Sequence, residues 1–566
     1  MKSVRPTNSL WILISAISCF LAIWSFLVPV PSTPGGHLTL GIAITLSFIG
    51  IAVIYWKRSL GRASESNRAK FSIAIAVIAT ALLVAACILR LGMTQFGGFD
   101  HSALIDLGWR LYQGQTPTVD FPCPMPPIFY WGAWLAYCAF DPTWWSLVAV
   151  TAAFAAVTFV WLFFLLSVVL EDALEAWLFA LAVQLCTNVL ASYWWYNPVT
   201  SVMGCIYLAS CSALISGPRN RCVQVSFVAS LLLLCLCKPN VAGPLVLGAS
   251  VVGLISTARA KFAMLSLLAG VGAASVLMLL GVAPLALWNE YIGVAARGST
   301  LNQLFQDLSD GQKLLFTGLL FACLVPWLTI VQIGPKALAD ARLQLAVVGV
   351  VSGLCGFLTN GEAKLVDMPL IFLGTALFLM RAASLEKENS PDLAAPFTAQ
   401  RYLVALTILL MGVATAQAVV RSRVEAIGPG VFFEHELVAG HPSPEFFAGL
   451  KTGRNFHSVC TEVETALRQT KDSSVYFGPR MQWAYAAFGI EPPRHQPSWW
   501  HPGVAFSQAE EGKYIAQWDT NRFGTLMFLK GDATYMSPEF ISLIQSHYRL
   551  LNDGSNITVL QRLPGL

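Results

Sequence analysis

Apolar runs of membrane-spanning length recur along this sequence from about residue 10 to about residue 420. A helix needs about 20 apolar residues to cross a bilayer, and its backbone polar groups must be satisfied within the segment. Charged residues make up only 12% of the chain, against about 25% in soluble domains. The pattern therefore predicts a multi-pass membrane protein of about thirteen transmembrane helices and argues against a secreted or cytosolic globular protein.

The predicted spans are separated by short polar or proline-containing loops. They fall near residues 10–30, 38–56, 71–91, 143–170, 174–193, 198–215, 223–237, 241–256, 262–287, 313–333, 343–359, 367–380 and 402–420. A further aromatic run, Ile128 to Phe140, is about 13 residues long and too short to span. We expect it to form a juxtamembrane helix at the interface, where Trp and Tyr are favoured.

The distribution of Lys and Arg among the short loops predicts the orientation. The basic loop that contains Lys57, Arg58, Arg62 and Arg68 marks the cytoplasmic side. The N-terminus is then cytoplasmic, and an odd number of spans places the first large loop, residues 92–142, and the C-terminal residues outside. The protein is expected to be an integral, multi-pass protein of a bacterial inner membrane.

The longest polar interruption in the first half of the chain runs from Phe96 to Tyr130. Asp100 follows two glycines and precedes an amphipathic run, which predicts a helix with Asp100 as its N-cap. Gly114 is expected just beyond the end of that helix, because glycine adopts the left-handed conformation without strain. Asp120 then lies in an extended, proline-bounded segment. The sequence thus predicts an ordered loop that carries two carboxylates at the membrane surface.

This loop resembles the first external loop of the GT-C superfamily, whose polytopic glycosyltransferases use polyprenyl-phosphate sugars. Protein mannosyltransferases and lipid A aminoarabinose transferases belong to it. The resemblance rests on an early Asp, a Gly-x-x-Pro turn, a second Asp and a Pro-Pro-x-x-Tyr exit, here Asp100, Gly114, Pro117, Asp120, Pro126, Pro127 and Tyr130. It implies an all-α polytopic membrane bundle, a polyprenyl-phosphate-linked sugar donor, and an extracytoplasmic acceptor that is a cell-envelope glycan, lipid or protein.

The resemblance also implies roles for the two carboxylates. Asp100 corresponds to the carboxylate that takes the proton of the acceptor hydroxyl, in a single displacement that inverts the sugar. Asp120 is a candidate ligand for the acceptor, the donor or a divalent metal, or a residue that only begins a turn. His101 is expected to be a surface or packing residue, and Asp106 a polar position on the helix.

The leaving phosphate requires cations. Lys238 ends a very apolar run and is predicted to lie outside, against the positive-inside trend, so it is a candidate phosphate ligand. The alternative is that Lys238 snorkels to the interface. Lys364 stands where related enzymes carry a basic residue before the last spans, and Arg297 is a third candidate. The adjacent Trp499 and Trp500, expected to be exposed, either stack on sugar rings or anchor at the interface.

The residues from about Arg421 onward are less apolar and predict a small extracytoplasmic α/β domain. The chain is therefore divided into a transmembrane domain, residues 1–420, and this C-terminal domain, residues 421–566. Predicted strands are Val475 to Phe477, Phe523 to Leu529 and Ile557 to Gln561, and predicted helices are Met481 to Phe488 and Pro538 to His547.

Two other classes of function stay open. A lipid-linked sugar flippase or transporter would carry ionisable groups near the bilayer midplane, but the predicted spans hold little beyond Gln184, Asn188 and Gln417. A non-catalytic membrane scaffold would tolerate replacement of Asp100.

The sequence points to no definite cofactor. None of the 13 cysteines has the spacing of a zinc site, and the sequence contains no nucleotide-binding loop. A divalent metal bound by carboxylates stays an open alternative. The net charge of +4 reflects basic residues distributed among the loops according to the topology. The expected partners are the donor, the acceptor and the lipid bilayer, and no nucleic-acid partner is expected.

Overall fold

The computed structural model describes most of the chain. The described residues are 67–94, 96, 99–170, 172–216, 220–295, 339–359, 366, 368–389, 443–470, 474–503, 505–530 and 536–564. They form sixteen α-helices and one four-stranded sheet. The fold class predicted from the sequence, a helical polytopic bundle with a small C-terminal α/β part, is confirmed.

The helices are numbered in chain order. They are α1 Asn67–Gly92, α2 Phe99–Tyr112, α3 Pro127–Phe140, α4 Trp144–Leu170, α5 Ala173–Gln184, α6 Tyr196–Ile215, α7 Arg221–Cys235, α8 Pro239–Ile255, α9 Arg259–Leu279, α10 Pro284–Ala295, α11 Ala341–Thr359, α12 Met368–Asn389, α13 Arg454–Gln469, α14 Trp483–Ala487, α15 Glu511–Asn521 and α16 Pro538–His547. The strands are β1 Val475–Phe477, β2 Thr525–Leu529, β3 Tyr548–Asp553 and β4 Ile557–Arg562. A π-helical segment, Leu185–Val189, continues α5.

The chain divides into two compact units. The first unit comprises residues 1–90, 151–273 and 299–421, and the second comprises residues 91–150, 274–298 and 422–566. The first large loop is therefore grouped with the C-terminal residues. The division at residues 420/421 into a membrane domain and an extracytoplasmic domain stays a prediction.

Among the described residues, four helical segments are long and apolar enough to cross a membrane: Ile73–Gly92, Trp144–Leu170, Tyr196–Ile215 and Arg259–Leu279. Five shorter apolar helices accompany them, namely Ala173–Val189, Arg221–Cys235, Pro239–Ile255, Ala341–Gly356 and Met368–Ala382. All nine coincide with predicted runs. The total of about thirteen spans stays a prediction, because four runs, near 10–30, 38–56, 313–333 and 402–420, lie outside the described residues.

Glycines allow close packing of α6, α8, α11 and α12 in the first unit. A Cβ built on Gly374 would lie 2.7 Å from the carbonyl oxygen of Ala346, and one built on Gly248 would lie 2.7 Å from Cγ1 of Val348. Small residues at such positions let transmembrane helices approach closely and gain van der Waals contact.

The amides near the π-helical segment satisfy one another. Gln184 Nε2 donates to Thr158 Oγ1 at 3.1 Å, and Asn188 Nδ2 donates to Gln184 Oε1 at 2.8 Å. All three residues are buried. Their hydrogen bonds connect α4 to α5 inside the first unit, which accounts for two of the three polar residues singled out in the predicted spans.

The run predicted over residues 262–287 is two helices. Helix α9 ends at Leu279, and the chain turns at Gly281, whose φ of 75° lies in the left-handed region that favours glycine. Helix α10 then begins at Pro284, a residue suited to the first turn of a helix. Helix α10 belongs to the second unit.

Helices α2 and α3 pack together in the second unit. A Cβ on Gly108 would lie 2.7 Å from the Cβ of Ala133 and 2.9 Å from the ring of Tyr137, so the two backbones are too close for any larger residue. Helix α2 begins at Phe99, which places Asp100 in the first turn and not at the N-cap position as predicted. The helix predicted over residues 128–140 is confirmed as α3.

The turn predicted after α2 is confirmed. Gly114 has a φ of 79°, and its N–H donates to the carbonyl oxygen of Leu111 at 3.0 Å. The N–H of Gln115 donates to the carbonyl oxygen of Arg110 at 2.9 Å. This pair of bonds is a Schellman motif, which satisfies carbonyl groups at the end of the helix.

The sheet of the second unit has the order β1-β2-β4-β3. Strands β1 and β2 are parallel, whereas β4 is antiparallel to both β2 and β3. The three predicted strands and the helix Pro538–His547 are confirmed, and the predicted helix Met481 to Phe488 is shorter than expected. Strand β3 and helices α13 and α15 were not predicted.

Candidate functional site

The structure describes some of the predicted site residues and not others. Asp100 is the second residue of α2, and its side chain lies outside the described residues. Arg297 and Lys364 also lie outside them. Of the remaining candidates, Lys238 belongs to the first unit, whereas Asp120 and the two tryptophans belong to the second.

Asp120 holds a tight turn and not the extended segment expected. Its Oδ2 accepts a hydrogen bond from the N–H of Thr116 at 2.7 Å, and Thr118 within the turn has a φ of 64°. Its Oδ1 accepts from Nη1 of Arg494 at 3.2 Å. Asp120 therefore both shapes the turn and forms an ion pair with a residue of the C-terminal segment. The guanidinium of Arg494 is 52% exposed and stays accessible to a ligand.

Asp106 is fully buried, contrary to its expected place as a polar helix position. Its Oδ2 accepts from Nε of Arg110 at 2.7 Å, four residues along α2. Burial raises the pKa of Asp106 to about 6, although the neighbouring Arg110 guanidinium opposes that rise. Because the pair is buried, the remaining N–H groups of Arg110 need hydrogen-bond acceptors from other parts of the second unit.

The segment of residues 490–496 provides backbone carbonyl oxygens that accept hydrogen bonds from α2 and the turn after it. Nη1 of Arg110 donates to the carbonyl oxygen of Pro493 at 2.9 Å and lies 3.4 Å from that of Gln496. Gln115 Nε2 donates to the carbonyl oxygen of Pro492 at 2.7 Å. Trp109 Nε1 reaches the carbonyl oxygen of Ile490 at 2.8 Å. These bonds fix segment 490–496, and with it Arg494, beside the first loop.

The only signal of this arrangement in the sequence is the spacing of Asp106 and Arg110. An Asp and an Arg four residues apart lie on the same face of a helix. The same spacing is common on exposed helix surfaces, so it does not by itself indicate a buried pair.

His101 packs inside the second unit, as expected. Its ring stacks on Phe96 with 5.5 Å between centroids and meets the edge of Trp144 at 5.2 Å. Burial lowers the pKa of His101 to about 3, so the ring is neutral at physiological pH. His101 therefore supports the start of α2, next to Asp100, without adding charge.

Lys238 begins α8 at its N-cap position. Its Nζ donates to Asn197 Oδ1 at 3.3 Å and lies 5.3 Å from the centroid of the Tyr196 ring. The Asn197 amide and the Tyr196 ring are uncharged, and the N-terminus of α8 adds the positive end of a helix dipole. This combination of an ammonium group with a helix N-terminus suits a bound phosphate.

Glu290 on α10 is a carboxylate that the sequence did not single out. Its Oε2 accepts from the N–H of Cys123 at 2.8 Å, and the neighbouring Tyr291 hydroxyl donates to the carbonyl oxygen of Met125 at 3.2 Å. Burial raises the pKa of Glu290 to about 7, with Glu510 adding to the rise and the Cys123 N–H and Lys513 opposing it. Helix α10 is thus attached to the segment that precedes α3.

The two tryptophans have different environments. Trp500 is inaccessible, and its ring stacks on Phe540 with 4.2 Å between centroids, so the expectation that it is exposed to sugars is wrong. It belongs to the hydrophobic core around the sheet, together with Trp518. Trp499 is half-buried and remains accessible.

No group of three or more His, Cys, Asp or Glu residues able to hold a metal occurs among the described residues. Cys123 and Glu290 approach each other, but two ligands fall short of the four that a structural zinc site uses.

No protein-family model and no curated protein matches the chain. Among solved structures, the chain is similar to ArnT from Cupriavidus metallidurans bound to undecaprenyl phosphate, with a TM-score of 0.46 and 12% identity over 87% of this chain and 98% of that one. The apo state of the same ArnT gives a TM-score of 0.45 and 12% identity over 88% of this chain and 98% of that one. A likeness this distant carries no argument about activity.

Proposed function

We propose that this protein is an integral membrane glycosyltransferase that moves a sugar from a polyprenyl-phosphate donor to an extracytoplasmic acceptor. The observation that carries the proposal is the ordered first loop. Helix α2 bears Asp100 in its first turn, a Schellman motif at Gly114 ends it, and Asp120 holds the next turn. This is the pattern in which the sequence resembles the GT-C superfamily.

In this proposal Asp100 is the catalytic base. Its carboxylate takes the proton of the acceptor hydroxyl while the acceptor oxygen forms a bond to the anomeric carbon. The bond from that carbon to the phosphate oxygen breaks, and the electron pair leaves with the lipid phosphate. One displacement of this kind inverts the configuration of the sugar.

Cations hold the phosphate as negative charge develops on it. Lys238 is the first candidate, because its ammonium stands at the N-terminus of α8, where it donates to Asn197 and lies beside the Tyr196 ring. Lys364 and Arg297 are proposed as further phosphate ligands from the sequence alone. On the acceptor side, the Asp120–Arg494 pair and the accessible Trp499 are proposed to contact sugar.

The decisive experiment compares wild type with Asp100→Asn in proteoliposomes that contain a radiolabelled polyprenyl-phosphate sugar and a crude cell-envelope acceptor. Asp141→Asn is the matched control, because Asp141 is an exposed carboxylate whose φ of 63° Asn tolerates equally well. We expect Asp100→Asn to lose label transfer by a factor of about 100 or more, while Asp141→Asn retains it.

Equal transfer by Asp100→Asn and wild type would contradict the assignment of the base. If the wild type transfers no label but moves the lipid-linked sugar between leaflets, the protein is a flippase and not a transferase.

A further inference from the structure

The segment before α3 and helix α10 bring four polar groups together that the proposed chemistry does not use. They are the Glu290 carboxylate, the Tyr130 and Tyr291 hydroxyls and the Cys123 thiol. Glu290 accepts the N–H of Cys123, and Tyr291 donates to the carbonyl oxygen of Met125, so α10 is bound to this segment at two points. The arrangement is therefore built by the fold and does not depend on exposed side chains.

Tyr130 is the residue that points to a ligand. It is 0% exposed, and its hydroxyl has no hydrogen-bond partner among the described residues. Cys123, Tyr291 and Glu290 all act on it electrostatically, so these three groups lie near the hydroxyl. A buried phenol without a hydrogen-bond partner is unfavourable, and a ligand able to accept or donate a hydrogen bond would satisfy it.

Glu290 supplies the complementary group. Only its Oε2 is occupied by a hydrogen bond within the described part of the chain, and the residue is partly accessible. Its titratable neighbours are Cys123, Tyr130, Tyr291, Glu510, Lys513 and Tyr514. The carboxylate accepts hydrogen bonds, whereas a phenol both donates and accepts. A pair of this kind fits a hydroxyl-bearing ligand.

We propose that Glu290 and Tyr130 form a hydroxyl-recognition site that binds a pyranose ring, with Glu290 accepting a hydrogen bond from one sugar hydroxyl and Tyr130 bonding a second oxygen. The identification of the ligand as a sugar rests on the proposed function. The geometry assigns the recognition of hydroxyl groups to these two residues, which are distinct from the proposed base and phosphate ligands.

The test is direct binding, measured by saturation-transfer NMR on the detergent-purified protein with methyl α-mannopyranoside and methyl α-glucopyranoside as probes. The variants are Glu290→Gln and Tyr130→Phe. Glutamine retains an oxygen for the Cys123 N–H, and phenylalanine preserves the ring, so both variants are expected to fold. Glu510→Gln is the control, because Glu510 is a neighbouring carboxylate whose side chain is 46% exposed.

We expect at least one glycoside to bind the wild type and Glu510→Gln equally, and to bind Glu290→Gln and Tyr130→Phe about tenfold more weakly, as the loss of a charge-assisted or buried hydrogen bond predicts. Equal binding by all four proteins, or no binding by the wild type, overturns the inference. Thermal unfolding of each variant reports whether its fold is preserved.

Failure of this inference is distinguishable from failure of the proposed function. Asp100→Asn tests transfer and is expected to bind the glycosides normally. Glycoside binding lost only in Glu290→Gln and Tyr130→Phe, in a protein that transfers no sugar, would support the site and contradict the transferase. Sugar transfer that requires Asp100, together with unchanged glycoside binding by Glu290→Gln, would support the transferase and contradict the hydroxyl-recognition site.

Discussion

Arg110 and Asp106 form an ion pair within one helix, with 2.7 Å between Nε and Oδ2 and with both side chains at most 1% exposed. The guanidinium also donates to the carbonyl oxygen of Pro493, far away in the sequence. A buried charge is tolerated when its partners satisfy it and is very unfavourable when one of them is removed. Arg110 is therefore expected to be decisive for the stability of the second unit.

Replacement of Arg110 by Met should destabilise the second unit by about 3–5 kcal/mol, because it leaves Asp106 buried without its cation. Thermal unfolding in detergent measures the change. Arg468→Met is the control, since Arg468 is 77% exposed in its pair with Glu464 and should leave the transition where it is. Similar shifts in the two variants would contradict the importance of the buried pair.

Gly108→Ala should destabilise the protein, although alanine favours helices more than glycine does. The new Cβ would lie 2.7 Å from the Cβ of Ala133, so α2 and α3 must separate, at a cost of about 1–3 kcal/mol. Gly512→Ala in α15 meets no atom within 4 Å and should instead stabilise by about 0.5–1 kcal/mol. A lower unfolding temperature for Gly108→Ala and a higher one for Gly512→Ala, each relative to the wild type, would confirm the close contact. Higher unfolding temperatures for both variants would refute it.

His101 should make stability depend on pH below neutrality. Its pKa is lowered to about 3 in the folded protein, so the unfolded chain binds a proton first as the pH falls through about 6.5. The stability from this group is complete above about pH 6.5 and is lost as the pH falls towards 3. Between pH 7 and pH 5 the loss is about 2 kcal/mol.

The variant His101→Leu isolates this effect, because all other titrating groups are shared with the wild type. Denaturant unfolding at several pH values should give a smaller loss of stability on acidification for His101→Leu than for wild type. Parallel curves for the two proteins would show that the pKa of His101 is the same in the folded and unfolded states, and would contradict the lowered pKa.

If the proposed function holds, Lys238→Gln should weaken binding of a polyprenyl phosphate by about ten- to hundredfold, because an ammonium–phosphate hydrogen bond contributes roughly 1.5–3 kcal/mol. Lys261→Gln, at the start of α9, provides the control for removing a positive charge from the same unit. Microscale thermophoresis with purified protein measures both dissociation constants. An unchanged constant for Lys238→Gln would favour the alternative that Lys238 only snorkels to the interface.

Trp500→Ala and Trp499→Ala should separate stability from binding. Trp500 is inaccessible against Phe540, so its removal should destabilise the protein by about 3–5 kcal/mol. Trp499 is half-buried, and its removal should affect sugar binding more than the unfolding temperature. A larger thermal shift for Trp499→Ala than for Trp500→Ala would show that the two roles are reversed.

The sequence predicted the helices, strands and turns whose signals lie within a few neighbouring residues. The apolar runs gave the positions of nine described helices, and Gly114 marked the end of α2, because both signals arise within a few residues. Strands β1, β2 and β4 were predicted because they are short apolar runs bounded by turns. Strand β3 was missed because its two leucines are flanked by polar residues and five of its six residues are exposed, as they are on the edge of a sheet.

Burial of the polar groups was not predictable in the same way. Asp106 has the spacing of a surface ion pair, and its burial depends on carbonyl oxygens contributed by Pro493 and Gln496. Trp500 looked like its neighbour Trp499, and its packing against Phe506 and Phe540 distinguishes the two. Glu290 drew no attention because its partner is the backbone N–H of Cys123, a group that every residue except proline offers.

The hydrogen bond from Arg110 to Pro493 joins residues 383 positions apart, which has a consequence for biogenesis. The ribosome makes the chain from the N-terminus, so α2 leaves it long before the partner segment exists. Until residues 490–496 have been synthesised, the Arg110–Asp106 pair lacks the carbonyl groups that enclose it. The final packing of this region must therefore follow the synthesis of residues 490–496. A nascent protein truncated before residue 490 would present an unfinished loop to the cell's quality-control proteases.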